Sequence, residues 1–344
     1  MHPEAHADRI QPTPVASRLR RWRRRAAFCA IQVIVILTLL ELLGRALDPL
    51  GISYYPETAR LMDSNIIDEP LGYRLRPGLH ARFHGADVRI NEWGLREREI
   101  PQSPPNTEFR ILVMGDSVPF GIGVEFEDSI PQVLQRIANE NAVGERRYRT
   151  INMGVPSYNT EQELAQLESL GLRLEPGLVL LWYSWNDVHS RMWVYEKRAG
   201  LLTNLAQRSY AASLLAVLAQ EVRARLRGRT VRAIYRMYHP DHPRWRAVEQ
   251  ALISMNQTCR AEGIPFAVFV PVVDQPQAMG LLMALGRREG FPVLPIDPFA
   301  DPRWADADPR RYRNSVVDNH RNRDGCRILG TLVYEHLRRE ELLP

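Results

Sequence analysis

The sequence has little of what disulfide-stapled and metal-binding scaffolds are built from. Only 3 of its 344 residues are Cys, at positions 29, 259 and 326, and their spacing follows no recognisable framework. A disulfide-rich fold and a cysteine-based metal site are therefore excluded, and only one disulfide, between Cys259 and Cys326, could form in an oxidising compartment. No internal repeat is apparent.

Excess positive charge is also missing from most of the chain. The formal net charge is +5, but residues 1–25 alone hold seven Arg against two acidic residues, and the remainder contains 38 basic and 38 acidic residues. Nucleic-acid binding needs several Lys or Arg clustered at one surface. The balanced remainder gives no support for a nucleic-acid partner, and we predict none.

What the chain does contain is one long apolar run directly after the Arg cluster. Residues 26–43 read AAFCAIQVIVILTLLELL, which is roughly the length that spans a bilayer core. We predict a basic tail over residues 1–25, disordered up to about residue 20, and a transmembrane helix over residues 26–47. Within that helix Glu41 lies four residues before Arg45, so the two side chains can pair on one face.

The Arg residues on the N-terminal flank indicate the orientation of this helix. Such residues stay on the cytoplasmic side, so the prediction is a single-pass protein of a bacterial inner membrane whose remaining chain lies in the periplasm. The alternative is a cleaved signal peptide. Residues 43–51, at the end of the apolar run, read LGRALDPLG, however. They carry charges where the cleavage site of a signal peptide needs small residues.

From Phe109 onward, short apolar runs alternate with amphipathic stretches, which is typical of βαβ units and a parallel sheet. The predicted strands are Arg110–Met114, Arg149–Met153, Leu178–Tyr183, Phe266–Val272 and Pro292–Ile296. The predicted helices are Ile130–Glu140, Thr160–Leu170, Ala211–Arg227, Arg244–Glu262, Gln277–Arg288 and Gly325–Glu340. We therefore predict an α/β fold, a doubly wound, flavodoxin-like sheet of five parallel strands flanked by helices and preceded by one transmembrane helix.

This pattern also divides the chain. Residues 48–105 are rich in Pro and Gly and are predicted to be a connecting region that packs on the α/β domain. That domain would cover residues 106–344 and carry an insertion at about residues 189–243. In doubly wound sheets, ligands bind at the carboxyl ends of the strands, so the residues that follow each strand are the candidates for chemistry.

Four such residues stand out. Ser117 follows the first strand in Gly115-Asp116-Ser117, where a strand-to-helix turn can expose a serine hydroxyl. Gly154 follows the second strand and Asn186 the third, and both could donate N–H groups to an oxyanion. His320 precedes the last helix, and a neutral imidazole is a suitable base for a serine hydroxyl.

Each of these residues also has a purely structural interpretation. The G-D-S turn could simply cap a helix, Gly154 could serve a βα turn, and Asn186-Asp187 could form an Asn-Asp turn. A single His in a loop is usually solvated surface. Only the order of all four on a βα frame favours a common site.

This order resembles the SGNH (GDSL-like) hydrolase superfamily, in its bacterial single-pass membrane-anchored type. Ser117 matches the nucleophile in G-D-S, Gly154 the glycine in N-x-G, Asn186 the asparagine in N-D and His320 the base in H-x-N-x-x-G. The similarity runs from about residue 71 to the C-terminus and includes RINEWGLR at residues 89–96, which is similar to an N-terminal segment of the anchored members.

One position departs from the family pattern. The family usually has an Asp three residues before the His, and here that position is Val317, whereas Asp318 stands two before. In an extended loop, side chains two apart point to the same side, so Asp318 could still reach the far nitrogen of His320. Otherwise the site would work as a Ser-His dyad, or would be degenerate.

The resemblance implies a serine esterase that acts through an acyl-enzyme. His320 would take the Ser117 proton, Ser117 would attack an ester carbonyl, and the Ser117 and Gly154 backbone N–H groups with the Asn186 amide would hold the oxyanion. No metal or organic cofactor is needed. The expected partners are an ester substrate, which could be a short-chain ester or an acylated glycan, and the membrane.

Two other functions fit the same residues. The first is an O-acetyltransferase or deacetylase of an envelope or exported polysaccharide. The second is a catalytically silent, anchored polysaccharide-binding or assembly protein, for which Val317 is the main argument. Aromatic residues in and around the insertion could stack on a sugar ring, but most are expected to be packing residues: Trp193, Tyr195, Tyr210, Tyr235, Tyr238 and Trp245.

The predicted insertion helix carries an apolar stripe at helical spacing. Its members are Leu214, Leu215, Val217, Leu218 and Val222. Such a stripe belongs to a protein core more often than to a lipid-binding face, so we predict that it is buried.

Overall fold

The computed structural model describes residues 14–189, 209–226, 234–272 and 276–344. Just under half of the predicted insertion, including Trp193 and Tyr195, lies outside these ranges. Helix α1 covers Pro14–Leu47, so the predicted disorder is wrong for residues 14–20, and residues 1–13 lie outside the description. The Arg45 Nε–Glu41 Oε1 pair is present at 2.7 Å.

The chain after α1 is organised around one five-stranded parallel sheet. Its strands are β5 (Glu108–Gly115), β6 (Arg147–Asn152), β7 (Leu178–Trp182), β8 (Phe266–Pro271) and β9 (Val293–Ile296). The spatial order is β6-β5-β7-β8-β9 and every pairing is parallel. This confirms the predicted doubly wound, flavodoxin-like fold. The strands form because most of their residues are buried and apolar, as a sheet covered on both faces requires.

Helices cover both faces of this sheet, and one further helix lies against α1. The helix bounds are α3 (Ser117–Phe120), α4 (Ile130–Glu140), α5 (Thr160–Ser169), α6 (Tyr210–Leu226), α7 (Pro243–Ala261), α8 (Pro276–Glu289) and α9 (Arg323–Arg339), of which α6 is the one that contacts α1. Helices α4 and α9 share a core with one face, and α5, α7 and α8 share a core with the other. Each of the six helices predicted after the transmembrane helix begins and ends within two residues of the observed bounds.

The two cores explain why the cysteines do not pair. Cys259 lies in the core that contains Leu112, whereas Cys326 lies in the core that contains Ile111. Neighbouring residues of a strand point to opposite faces of the sheet. Both thiols are free and buried, so the disulfide considered from the sequence is ruled out.

Residues 48–105 contain more structure than a connecting region suggests. They form α2 (Tyr54–Asp63) and two antiparallel hairpins: β1 (Ile66–Asp68) with β2 (Gly72–Arg74), and β3 (His80–Phe83) with β4 (Ala86–Arg89). They also bury a third apolar core, which includes Phe120 and Ile122 from the end of α3 and the turn after it. This N-terminal region therefore packs directly against the turn that carries Ser117.

Among the described residues, one helix is long and apolar enough to cross a membrane, Arg20–Leu47 within α1. Its apolar window is not buried by any other part of the protein. By length and composition this helix is a candidate membrane span, and an N-terminal signal sequence has the same properties.

Candidate active site

The turn that presents Ser117 is fixed by one glycine and one aspartate. Gly115 has a φ of +142°, and a Cβ there would stand 2.9 Å from the Trp182 carbonyl oxygen, so a larger residue does not fit. Asp116 Oδ1 accepts from the Val118 N–H at 3.1 Å and from the Ser184 hydroxyl at 2.9 Å. Ser117 therefore begins the short helix α3 at the carboxyl end of β5.

Three predicted site residues form a continuous hydrogen-bonded line. Ser117 Oγ lies 2.7 Å from His320 Nε2, and His320 Nδ1 lies 2.6 Å from Asp318 Oδ1. The His320 backbone N–H also donates to Asp318 Oδ1, at 3.0 Å. Asp318 thus reaches the imidazole from two residues away, with an acceptor on one ring nitrogen and the hydroxyl on the other. This is the geometry of a nucleophile, a base and an orienting carboxylate.

The surroundings of Asp318 keep it ionised. Burial by itself would raise the pKa of this carboxyl group, but the bonds from His320 and Asn314 outweigh burial and hold the pKa below its ordinary value. Asn314 Nδ2 donates to Asp318 Oδ2 at 3.0 Å and also to the Ile122 carbonyl at 2.9 Å. Through Asn314, the loop that carries His320 is tied to the segment that follows α3.

A cavity of about 570 Å³ opens onto Ser117 and His320. Its wall combines aromatic and polar side chains, among them Tyr54, Trp185, Asn186, Tyr235 and Arg313. Asn186 is therefore placed where its amide can face a substrate oxygen. The space is large enough for an ester and part of its alcohol group.

Gly154 lies close to this site, but its N–H is already engaged. The N–H donates to Asn152 Oδ1 at 3.0 Å, and Asn152 Nδ2 donates to the Pro119 carbonyl at 2.8 Å. A Cβ at Gly154 would collide with the Phe120 backbone nitrogen. The packing alone explains the glycine, and its oxyanion role stays a prediction that requires this bond to be exchanged for one to the substrate.

Sequence reasoning missed a buried arginine that holds the nucleophile turn. Arg96 is 1% exposed. It donates to the carbonyl oxygens of Phe120 (2.9 Å), Gly121 (2.6 Å), Val124 (2.7 Å) and Asp87 (3.1 Å). Burial lowers the pKa of Arg96 to about 10, so the group remains charged at neutral pH. Its position at the end of the RINEWGLR segment was the available signal.

The neighbouring Glu97 is buried as well. Its Oε2 atom accepts from the Asn152 N–H at 3.2 Å and from Gln132 Nε2 at 3.2 Å, and its Oε1 atom accepts from the Arg98 N–H at 2.9 Å. Burial raises the pKa of Glu97 to about 7, although these bonds oppose the shift. Glu97 thus supports the strand end that leads to Gly154.

Two further carboxyl groups lie behind the cavity. Asp187 Oδ2 accepts from the Ser184 N–H at 3.0 Å and so closes the turn that carries Asn186. Burial raises the pKa of Asp187 well above its ordinary value, and the nearby Glu163 carboxyl raises it further. Burial does the same to Glu163. Burial thus favours the neutral form of both carboxyl groups over the ionised form.

Other predicted residues have mainly structural positions. Tyr238 and Trp245 are buried in the core beneath α7, whereas Tyr235 lines the cavity. His189, a possible alternative base, packs its ring edge-on to Trp185 with centroids 6.3 Å apart. The Ser117 hydroxyl is hydrogen-bonded to His320 Nε2 instead.

Comparison with known proteins gives matches only at the level of solved structures. No protein-family model matches the chain, and no curated protein matches it. One similar structure is a protein assigned to the lipolytic G-D-S-L family from Desulfitobacterium hafniense DCB-2, with 14% identity over 67% of this chain and 99% of that chain and a TM-score of 0.41. A psychrotrophic esterase from Pseudoalteromonas sp. has 12% identity over 68% and 99%, with a TM-score of 0.42.

A third similar structure is a two-domain esterase active on acetylated mannans. It has 12% identity over 67% of this chain and 49% of that chain, with a TM-score of 0.43. These identities are too low to transfer residue roles to this chain, whose own side chains have to carry the assignment of function.

Proposed function

We propose that this chain is a serine esterase of the SGNH type, held in the membrane by its N-terminal apolar helix. The observation that carries the proposal is the line from Ser117 Oγ through His320 to Asp318, with distances of 2.7 and 2.6 Å, at the floor of a cavity. The main argument for a catalytically silent protein was that Val317 stands where the family usually has Asp. Asp318 makes the hydrogen bond to His320 Nδ1 that Val317 cannot make.

The chemistry follows from the protonation states that this geometry favours. Asp318 is an anion and accepts from His320 Nδ1, so Nε2 is the free base that takes the Ser117 proton. The Ser117 oxygen then attacks the ester carbonyl, the alcohol leaves with the proton from His320, and an acyl-serine remains. Water activated by His320 releases the acid and restores the hydroxyl.

The oxyanion of each tetrahedral intermediate needs preorganised donors. We assign this role to the Ser117 backbone N–H, the Asn186 side-chain amide and, after it leaves Asn152, the Gly154 N–H. Loss of one such donor usually lowers turnover by about 10²–10³-fold. Short-chain acyl groups carried by a sugar or another alcohol are the substrates that we propose for the cavity.

The anchor places the site outside the cytoplasm in this proposal. The Arg-rich flank would keep the N-terminus of α1 in the cytoplasm and send residues beyond Leu47 to the periplasmic side of a bacterial inner membrane. A fusion of alkaline phosphatase after residue 60 should be active, and an inactive fusion would refute this orientation.

Labelling with a fluorophosphonate tests the nucleophile directly. The wild-type protein should be labelled and should hydrolyse 4-nitrophenyl acetate, whereas Ser117→Ala should lose both properties, because in this mechanism Ser117 carries the acyl group. Ser157, a second serine in the same cavity wall, provides the matched control: Ser157→Ala should keep both. Full hydrolysis by a folded Ser117→Ala variant would exclude the serine mechanism.

A further inference from the structure

Helix α6 begins on the outer end of α1. The Glu41 carboxylate accepts from the Tyr210 N–H at 2.7 Å, from the Ala211 N–H at 3.1 Å and from the Ser209 hydroxyl at 3.0 Å. A carboxylate at this position caps the first turn and complements the positive end of the helix dipole. The junction is also close-packed, since a Cβ at Gly44 would lie 2.7 Å from the Tyr210 ring.

These bonds fix the depth of α6 relative to a membrane that α1 crosses. Glu41 lies two residues before the end of the apolar run at Leu43, which makes it a residue of the outer interface. At a rise of about 1.5 Å per residue, it stands about 9 Å below the end of α1 at Leu47. The first turn of α6 donates to this carboxylate, so it must lie in the same interfacial layer.

Three residues of the stripe predicted to be core on α6 are exposed, which corrects the sequence prediction for them, whereas Leu214 and Val217 are half-buried. Leu215 is 67% exposed, Leu218 53% and Val222 56%, and their spacing places them on one face of the helix. Lipid-facing residues of α1 have the same exposure, for example 60% at Leu39. A helix with exposed apolar residues on one face that starts in the interface fits a bilayer surface.

The catalytic loop is attached to the same end of α1. The Val317 N–H donates to the Leu50 carbonyl at 3.3 Å, and Leu50 is three residues beyond Leu47. The covalent chain therefore holds this contact within about 11 Å of the end of α1. Next to it, Val316 is 73% exposed and Leu50 is 40% exposed, which adds apolar surface at the junction.

We propose that α6 is a second membrane contact, lying in the outer interface with Leu215, Leu218 and Val222 in the acyl region, and that the cavity takes esters borne by the bilayer. The inference rests on the proposed esterase function and on the anchor. Because α6 starts beside the outer end of α1 and the loop of His320 is bonded just beyond that end, the site stays near the lipid surface. An ester on an amphiphile in that leaflet reaches it without leaving the membrane.

A spin label on α6 tests the docking in the full chain, reconstituted in phosphatidylcholine–phosphatidylglycerol nanodiscs. The label is placed by Leu218→Cys in a Cys29→Ser background, where Cys259 and Cys326 are buried and burial raises the pKa of each thiol to about 12. If α6 lies in the membrane interface, the spin label at position 218 should collide with oxygen more often than with a polar nickel reagent. Val143, 90% exposed on the loop after α4, is the control. Equal accessibility at Leu218→Cys and Val143→Cys would overturn the docking.

Turnover in proteoliposomes tests the substrate class. The two probes are 4-nitrophenyl acetate in solution and hexadecyl acetate in the vesicle membrane. Replacing Leu215, Leu218 and Val222 together by Gln should lower hydrolysis of the membrane ester about tenfold and leave the soluble ester unchanged, and Val143→Gln should change neither rate. Hydrolysis of the soluble ester with no effect of the triple variant on the membrane ester overturns this inference. No hydrolysis of either ester overturns the proposed function, and with it the substrate class, while the spin label still decides the docking.

Discussion

The parallel-sheet domain and the N-terminal region of residues 48–105 meet at the cavity, and they contribute different things to it. The sheet domain contributes the groups to which we assign the chemistry, Ser117, Asn186 and His320, from the carboxyl ends of its strands and from its last loop. The N-terminal region supplies the ring of Tyr54 and the buried charges of Arg96 and Glu97. The proposed chemistry thus belongs to one region, whereas much of its positioning belongs to the other.

The largest effect on activity should come from a substitution in the sheet domain. Asp318→Asn should lower kcat by as much as about 10⁴-fold, because an amide can stabilise the wrong imidazole tautomer and no longer offsets the imidazolium charge. Steady-state hydrolysis of 4-nitrophenyl acetate measures this loss, and an unchanged melting temperature shows that the fold is intact. Asp324→Asn, on the exposed first turn of α9, is the control.

His320→Ala completes this test. It should be at least as damaging as Asp318→Asn. If Asp318→Asn keeps near wild-type turnover while His320→Ala is inactive, a Ser-His dyad replaces the proposed triad. If both variants keep their turnover, His320 is not the base, and His189 becomes the next candidate.

The two regions also differ in how far the sequence predicts them. The five strands and the helices between them were predictable because long apolar or amphipathic runs record their burial. The hairpins were not, since strands of three or four residues such as Gly72–Arg74 and His80–Phe83 are too short and too polar to show a period. Buried charges such as Arg96 are invisible for another reason: the carbonyl groups that satisfy them come from a turn distant in sequence.

The proximity of the candidate site residues was partly predictable as well. The pairing of Ser117 with His320 was expected because each lies in a recognisable motif, and the approach of Asp318 was expected from its two-residue spacing. The engagement of the Gly154 N–H by Asn152 depends on a rotamer that no pattern specifies. The stripe on α6 was misjudged because one apolar face fits a protein core and a lipid surface equally well.

The next largest effect, on stability and turnover, should come from a substitution in the N-terminal region. Arg96→Met should destabilise the fold by about 4 kcal/mol, because several buried carbonyl groups lose their donor at about 1–3 kcal/mol each. Since two of them, at Phe120 and Gly121, lie three and four residues after Ser117 at the end of α3, kcat should fall as well. Chemical denaturation and turnover measure the two effects. Arg98→Met, which removes an exposed pair with Glu127, should change neither stability nor turnover. Equal stability of Arg96→Met and Arg98→Met would contradict the structural role of Arg96.

Glu97 should make stability depend on pH. Burial raises its folded pKa from 4.5 to about 7, so the unfolded chain releases the proton first as pH rises. Wild-type stability should therefore fall between about pH 4.5 and 7, by as much as about 3 kcal/mol. Glu97→Gln should flatten this slope in urea unfolding curves, and Glu99→Gln, on the exposed side of the same segment, should not. A wild-type stability that rises over this interval would refute the assignment.

The smallest effect should come from the aromatic ring that the N-terminal region contributes to the cavity. The Tyr54 ring lies 5.8 Å from the His320 ring and 5.3 Å from the His84 ring, centroid to centroid. Such aromatic contacts contribute about 0.5–1.5 kcal/mol beyond burial, so Tyr54→Leu should lower kcat/KM by about two- to tenfold through looser placement of the imidazole.

Tyr54→Phe separates the ring from the hydroxyl. Burial raises the pKa of Tyr54 to about 12, and the nearby Asp318 charge adds to the shift, so the hydroxyl stays neutral at working pH and gives the site no charge. Tyr54→Phe should therefore match the wild type at every pH between 6 and 9, measured with 4-nitrophenyl acetate, while Tyr54→Leu shows a constant loss. Equal losses in both variants would mean that the N-terminal region acts on the site through the Tyr54 hydroxyl rather than through packing against His320.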